Sequence, residues 1–290
     1  MRTPPLGVFG GLSGERQGAQ ESHGVAIGGA LYARSVVPDP FADLASRFVD
    51  HYKTLRGIVR AELVHRQLEE HLPNGSLLVA DVGGGDGRQS VRLASLGHTV
   101  DLIDPSQEML ERAQKAIAQQ PETVRSRIRL IDASAEDATE TLGTDRYDVV
   151  LCHGVIMYFQ DPAPLVGILV SLARPGEGLI SLVAKNAEAL ALRPALQGRW
   201  EDALKVLDLD RDVGGLGVVT RGDPVESLTR LFSEAGASLV DWYGVRVLTD
   251  HLTDLPPPPN TTNVVELEWR VGSRDPYRRV GHLIHLIARR

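Results

Sequence analysis

Apolar residues change their spacing twice along this chain. From Asp39 to about residue 70 they recur at three- and four-residue steps, first Phe41, Leu44, Phe48 and Tyr52, then Leu55, Val59, Leu63 and Leu68. That stripe predicts amphipathic helix, and Pro73-Asn74-Gly75 ends it. A compact run comes next, Leu77-Leu78-Val79-Ala80, which stops at glycines as a buried parallel strand does. Helices are then predicted over Ser90–Leu96, Ser106–Gln119 with Ser106 as N-cap, and Pro164–Ala173. They alternate with strands at Thr99–Ile103, Ile128–Ile131, Asp148–Cys152 and Leu179–Ala184. This rhythm predicts an α/β, doubly wound Rossmann-like sheet.

After Ala184 the rhythm breaks. Ala187–Leu207 has helical spacing interrupted by Pro194, Gly214–Gly222 reads as a loop, and Pro224–Glu234 reads as a helix. Strands near Ser238–Val247 and His282–Ala288 bring the sheet to about seven. Between them, the tetraproline 256–259 excludes helix and central strand, and Val264–Val271 is amphipathic. Segments near 186–222 and 248–280 are expected to be helical cap insertions over the carboxyl edge of the sheet, within one domain spanning 39–290. Residues 1–38, which open on a stretch rich in Gly, Ser, Gln and Pro, are expected to form a flexible extension; they lack the apolar core of a signal peptide.

The first strand runs into Asp81-Val82-Gly83-Gly84-Gly85-Asp86-Gly87. Alternating glycines let main chain approach a ligand without a Cβ in the way. The frame is not the dinucleotide fingerprint, because Arg88 stands where that fingerprint needs glycine, which makes an NAD-dependent oxidoreductase the weakest rival. Asp104 ends the second strand about twenty residues on, where a carboxylate accepts ribose hydroxyls. The spacing D-x-G-x-G-x-G resembles motif I of class I methyltransferases. That likeness implies S-adenosyl-L-methionine as cofactor, held by Asp81, Gly83, Gly84, Gly85 and Asp104. In the same superfamily the segment Asp132–Asp137 holds adenine, with Ala135, Glu136 and Asp137 at that place here; otherwise it is a capped helix start. His153, at the end of the fourth strand, is the candidate beside the reacting methyl, and Cys152 is expected to be a small buried apolar residue.

Composition narrows the partners. A net charge of −7 and a pI near 5.7 give no global pull toward nucleic acid or an anionic membrane. One cysteine excludes an internal disulfide and a cysteine cluster, so a reducing cytoplasm is expected. No apolar run is long enough to span a bilayer, no metal-ligand spacing is present, and the oligomeric state stays open.

Several segments are more specific: Phe41–Phe48, Leu55–Arg60, Cys152-His153-Gly154-Val155, Lys185-Asn186-Ala187, Gly244–Val247 with Asp250-His251-Leu252, and Asp275–Arg278 with His285. With the glycine turn they resemble the tRNA 5-carboxymethoxyuridine methyltransferase family from Phe41 to the C-terminus. The resemblance implies Arg60, Gly83, Gly84, Asp104, Ala135, Glu136 and His153 as cofactor contacts. It also implies a carboxylate acceptor, which is already ionised and needs alignment rather than a base. Arg246 is the candidate clamp for that anion, with Tyr158 and Tyr277 as further substrate contacts. A hydroxyl acceptor would instead need a base, His153 or His251.

One departure bears on the partner. The family's insert carries a lysine run, whereas Arg199–Asp223 here holds Glu201, Asp202, Asp208, Asp210, Asp212 and Asp223 against four cations. A small-molecule or nucleoside acceptor is therefore favoured, with tRNA as the alternative. A basic cluster remains in Arg270, Arg274, Arg278, Arg279, Arg289 and Arg290. A cofactor-binding interaction subunit without turnover is the rival of another class.

Overall fold

The computed structural model describes residues 51–213, 217–252 and 255–290. The chain divides into two units, Met1–Val37 and Pro38–Arg290, and every described element lies in the second. The expected N-terminal extension and the helical stripe at Phe41, Leu44 and Phe48 lie outside the described residues.

Helix α1 (Leu55–Glu69) opens at Thr54, whose side chain accepts from Gly57 N at 3.2 Å, and buries Leu55, Val59, Leu63 and Leu68. The alternating unit continues as β1 (Leu78–Val82), α2 (Arg88–Ser95), β2 (Thr99–Asp104), α3 (Gln107–Ala118), the short α4 (Glu122–Arg125), β3 (Ile128–Asp132), the short α5 (Ala138–Leu142), β4 (Val149–His153), α6 (Ala163–Leu172) and β5 (Leu179–Lys185). Ser106 caps α3 through its side chain, as its position predicts.

Beyond β5 come α7 (Leu192–Leu196), α8 (Trp200–Val206), β6 (Arg211–Val213), β7 (Val219–Arg221), α9 (Val225–Glu234), β8 (Ser238–Val245), α10 (Thr261–Gly272) and β9 (Leu283–Arg289). The main sheet has seven strands in the order β3-β2-β1-β4-β5-β9-β8, and β9 runs antiparallel between β5 and β8. Helices cover both faces. Leu165, Leu169 and Phe232 sit in the core of one, and Leu55, Val59, Leu63 and Val265 in that of the other.

Two local expectations are corrected. Ala187–Leu207 is not one interrupted helix but three short pieces, because Pro194 lies inside α7 and Gly198 turns the chain at φ +73° before α8. Part of Gly214–Gly222, read as loop, is strand: Val219–Arg221 pairs antiparallel with Arg211–Val213 as a separate hairpin. The 186–222 segment reaches the sheet edge, where Lys185 bonds Asp212 and, at 2.9 Å, Thr220. The 248–280 segment behaves differently. Its helix α10 packs against α1 and β8 and joins the helical layer instead of forming a second cap.

Candidate functional site

Strand order reverses between β1 and β4, the crevice where open α/β sheets bind ligands. A cleft of about 630 Å³ opens there, reached by Gly83, Asp104, His153 and Lys185 from four strand ends.

One end of the cleft is main chain. Gly83 (φ +71°) and Gly85 (φ +57°) hold left-handed backbone. A Cβ on Gly83 would stand 2.4 Å from Val155 Cγ2, and one on Gly84 would stand 2.5 Å from Leu102 Cγ. Asp104, buried at the end of β2, accepts from Gly85 N and Ser106 N, both at 2.9 Å. The glycine turn and the carboxylate therefore hold each other in place. Below them Asp81 accepts from Ser90 Oγ at 2.6 Å. Burial outweighs that bond and, with Asp104 and Asp86 nearby, pushes the Asp81 carboxyl up to about 6.

Tyr52 and Arg60 form a side wall. Arg60 bonds the Tyr52 hydroxyl and donates to His153 O at 3.1 Å, and the Arg88 guanidinium lies 4.4 Å over the Tyr52 ring. His153 Nε2 lies 2.8 Å from Ser181 Oγ. Burial, with His285 and Arg60 close by, holds the His153 imidazole well below its usual value. Cys152 is fully buried, and burial pushes its thiol up to about 12, so it serves as an apolar residue.

The other end is charged. Arg56, Arg60, Lys185, Arg193 and Arg246 all reach the cleft. Arg246 is buried at φ +59°, 3.3 Å from Asp250 Oδ1, and its Nε has no hydrogen-bond partner among the described residues. His282 Nδ1 lies 3.0 Å from Asp250 Oδ2. Against the cost of burial, His282, Arg246, Arg193 and Arg56 keep the Asp250 carboxyl below its usual range. Burial, opposed by Asp250, lowers Arg246 to about 10 and Lys185 to about 8, so both stay protonated at neutral pH. The Arg246 loop is set from beneath by Glu268 on α10, which is fully buried. Glu268 accepts from Val247 N, Leu248 N and Thr249 N at 2.8–3.0 Å, and from Thr249 Oγ1 at 2.6 Å.

The structure thus gathers Arg60, Asp81, Gly83, Gly84, Gly85, Asp104, His153, Tyr158 and Arg246 at one cleft. It leaves five expected residues outside, Asp137 among them. Ala135 is buried in the hydrophobic core and Glu136 is exposed, because Ser134 and Asp137 bond one another in the turn that opens α5. His251 sits beside the cap, where its carbonyl accepts from Gln197 at 2.7 Å. Tyr277 is half-exposed on a turn away from the cleft. The basic cluster also disperses. Arg270 pairs with Glu266, Arg278 and Arg279 pair with Asp275, and Arg290 is tied to Asp145 at the opposite end of β9.

Sequence reasoning missed Glu268, His282, Arg56 and the role of Lys185. Glu268 had a signal: it lies on the apolar stripe of its helix, three residues after Val265 and three before Val271. His282 had none.

Residues 80–179 match the methyltransferase domain family. The chain is 30% identical to the tRNA 5-carboxymethoxyuridine methyltransferase of Escherichia coli K12 over 255 residues, covering 86% of this chain and 95% of that protein. It is 34% identical to the ubiquinone biosynthesis O-methyltransferase of Xanthomonas axonopodis pv. citri over 161 residues, 53% of this chain and 63% of that one. Among solved structures, magnesium protoporphyrin IX methyltransferase from Synechocystis PCC 6803, with bound S-adenosylhomocysteine, superposes with a TM-score of 0.57. That likeness is at 19% identity and covers 88% of this chain and 98% of that one.

Proposed function

The chain belongs to the tRNA 5-carboxymethoxyuridine methyltransferase family of class I, S-adenosylmethionine-dependent enzymes, and from that premise we propose that its methyl acceptor is a carboxylate oxygen. The observation that carries this reading is the charge at the acceptor end. Arg60, Lys185 and Arg246 reach one end of the cleft from three elements, Lys185 beside Asp212 and Arg246 beside Asp250. Cationic side chains drawn to one end of a cleft from separate elements favour an anionic ligand there.

The cradle fits S-adenosylmethionine: a Cβ at Gly83 or Gly84 would collide with its neighbours, and Asp104 stands ready for a ribose diol. Gly83, Gly84, Gly85 and Asp104 would hold the nucleoside, with Arg60 and His153 at the amino-acid part. When bound, this cofactor supplies an electrophilic methyl group on a sulfonium. The chain's own work is then alignment. Arg246, with a planar fork of donors, grips the acceptor's carboxylate, and Lys185 adds a point charge. Tyr52, Arg60 and Arg88 line one side of the cleft. No proton has to be removed, because a carboxylate is ionised at neutral pH. His153 supports the same view. Its partner is the Ser181 hydroxyl and not a carboxylate, so an imidazolium formed there would lack a counter-ion.

Methyl esters hydrolyse in alkali and methyl ethers do not. Transfer of labelled methyl to carboxymethoxyuridine, free and in tRNA, should give an alkali-labile product; an alkali-stable one would overturn the carboxylate reading. Two carriers of that carboxylate are separable. The acidic cap, with Glu201, Asp208 and Asp210 exposed, and the dispersed arginines favour a small metabolite or nucleoside. The relative matched over 95% of its length favours tRNA. Steep salt dependence of turnover identifies the polyanion, and a flat profile the small molecule. No helix among the described residues is long and apolar enough to cross a membrane. On its single, buried cysteine we propose a reducing compartment, the cytoplasm.

A further inference from the structure

Register brings two histidines to one serine. His153 on β4 and His285 on β9 both pair with Val183, from opposite sides of β5. Directly paired residues share a face, and Ser181, two residues before Val183, shares it too. The Ser181 oxygen lies 2.8 Å from His153 Nε2 and 2.7 Å from His285 Nε2, and the two rings meet edge to face at 5.5 Å. His285 Nδ1 lies 2.8 Å from the side-chain oxygen of Gln67 on α1. Gln67, Ser181 and His285 are fully buried. Four polar groups from four elements thus run in line from the helical layer to the cleft.

Proton positions along the line follow from what each atom can do. An amide oxygen only accepts, so His285 Nδ1 donates to Gln67. Buried without a carboxylate, and held down at about 3, His285 is neutral, and its Nε2 therefore accepts. Ser181 has one proton and donates it to His285, leaving its oxygen to accept. His153 must then donate from Nε2, and its remaining lone pair sits on Nδ1. A row of apolar side chains would fill this space at less desolvation cost, so the polar line calls for a role at its open end.

We propose that Gln67, His285 and Ser181 are positioning residues that hold His153 as the neutral, Nε2-protonated tautomer, presenting Nδ1 to the cleft as an acceptor. The ligand group it takes is a cationic or neutral N–H donor, which the ammonium of the cofactor's amino-acid part supplies. This rests on the cofactor site alone and holds whichever acceptor is methylated. The test is long-range ¹H–¹⁵N correlation on the unliganded full-length chain with labelled histidine, assigned with His153→Gln. The expected result is a His153 ring with Nε2 protonated, Nδ1 bare and no titration between about pH 6 and pH 8, conditions spanning the ordinary histidine pKa. Ser181→Ala should release the ring to a mixture of tautomers and weaken S-adenosylhomocysteine binding about tenfold. Gln67→Leu, which removes the acceptor that fixes the His285 tautomer, should leave His153 in the same mixture as Ser181→Ala. A proton on Nδ1 in the wild type, or an unchanged His153 spectrum in Ser181→Ala, overturns the proposal. Because these spectra need no acceptor, failure of the carboxylate reading leaves them untouched.

Discussion

At the glycine end of the cleft, where we propose the cofactor binds, the surface is main chain from a few consecutive residues, Gly83 to Gly85, braced by one carboxylate, Asp104. At the acceptor end it is side-chain charge drawn from α1, β5, the cap, the segment after β8 and the start of β9, with Arg246 and Asp250 at its centre. The first is a local device. Glycine conformation and one strand spacing create it, and it serves any acceptor. The second is a tertiary device, in which each ion is tolerable only because others lie beside it. Specificity can therefore change at one end while the other stays as it is.

The largest expected effect tests whether the ends are separable. Arg246→Ala should lower kcat/KM for the acceptor about 1,000-fold, since it removes the guanidinium proposed to grip the acceptor's carboxylate. S-adenosylhomocysteine affinity should stay within about threefold by calorimetry. Comparable losses in both measurements would dissolve the distinction.

A second effect belongs to the floor of the cofactor end. Asp81 has its folded pKa raised to about 6 from an ordinary 3.8, so its contribution to stability is full below about pH 4 and is lost as pH rises through 6. The loss is about 3 kcal/mol, and Asp81→Asn should flatten it in denaturant unfolding measured from about pH 4 to pH 7. Parallel curves for the two proteins would show that Asp81 is not the cause.

Next, Asp104→Ala should weaken S-adenosylhomocysteine about 100-fold, because Gly85 N and Ser106 N lose their common acceptor along with the ribose contact. The acceptor KM should not move; a matching rise in it would join the two ends.

The smallest effect concerns glycine itself. Gly83→Ala should lower cofactor affinity about tenfold, through left-handed strain of about 1–2 kcal/mol and the contact with Val155. Adding Val155→Ala should recover the contact part only. Full recovery would mean that φ is irrelevant there.

Much of this was legible in the chain. Period-3.6 and short buried runs located α1, β1 to β5 and most of the later helices, because burial on a parallel sheet leaves continuous apolar strands. The glycine turn and Asp104 were legible because both belong to one strand–turn–helix–strand unit with a set spacing. Ala135 and Glu136 lie outside the cleft, in the turn that precedes a short helix. His251 and Tyr277 lie outside the cleft because a sequence neighbour of a site residue need not face the site. The arginines near the C-terminus looked like one patch, but β9 carries Arg290 to the far end of the sheet.

By itself, then, the sequence determined the alternation of elements, the left-handed turn that only glycine forms freely, and the carboxylate one strand away. Each depends on residues near one another in the chain. Tertiary structure alone decided the rest. It brought Arg56, Lys185, Arg246 and His282 together across more than two hundred residues, placed Glu268 under the Arg246 loop, and lined Gln67, His285 and Ser181 behind His153. A buried charge or a buried imidazole takes its meaning from the partners that offset its desolvation, and those partners are chosen by register and packing.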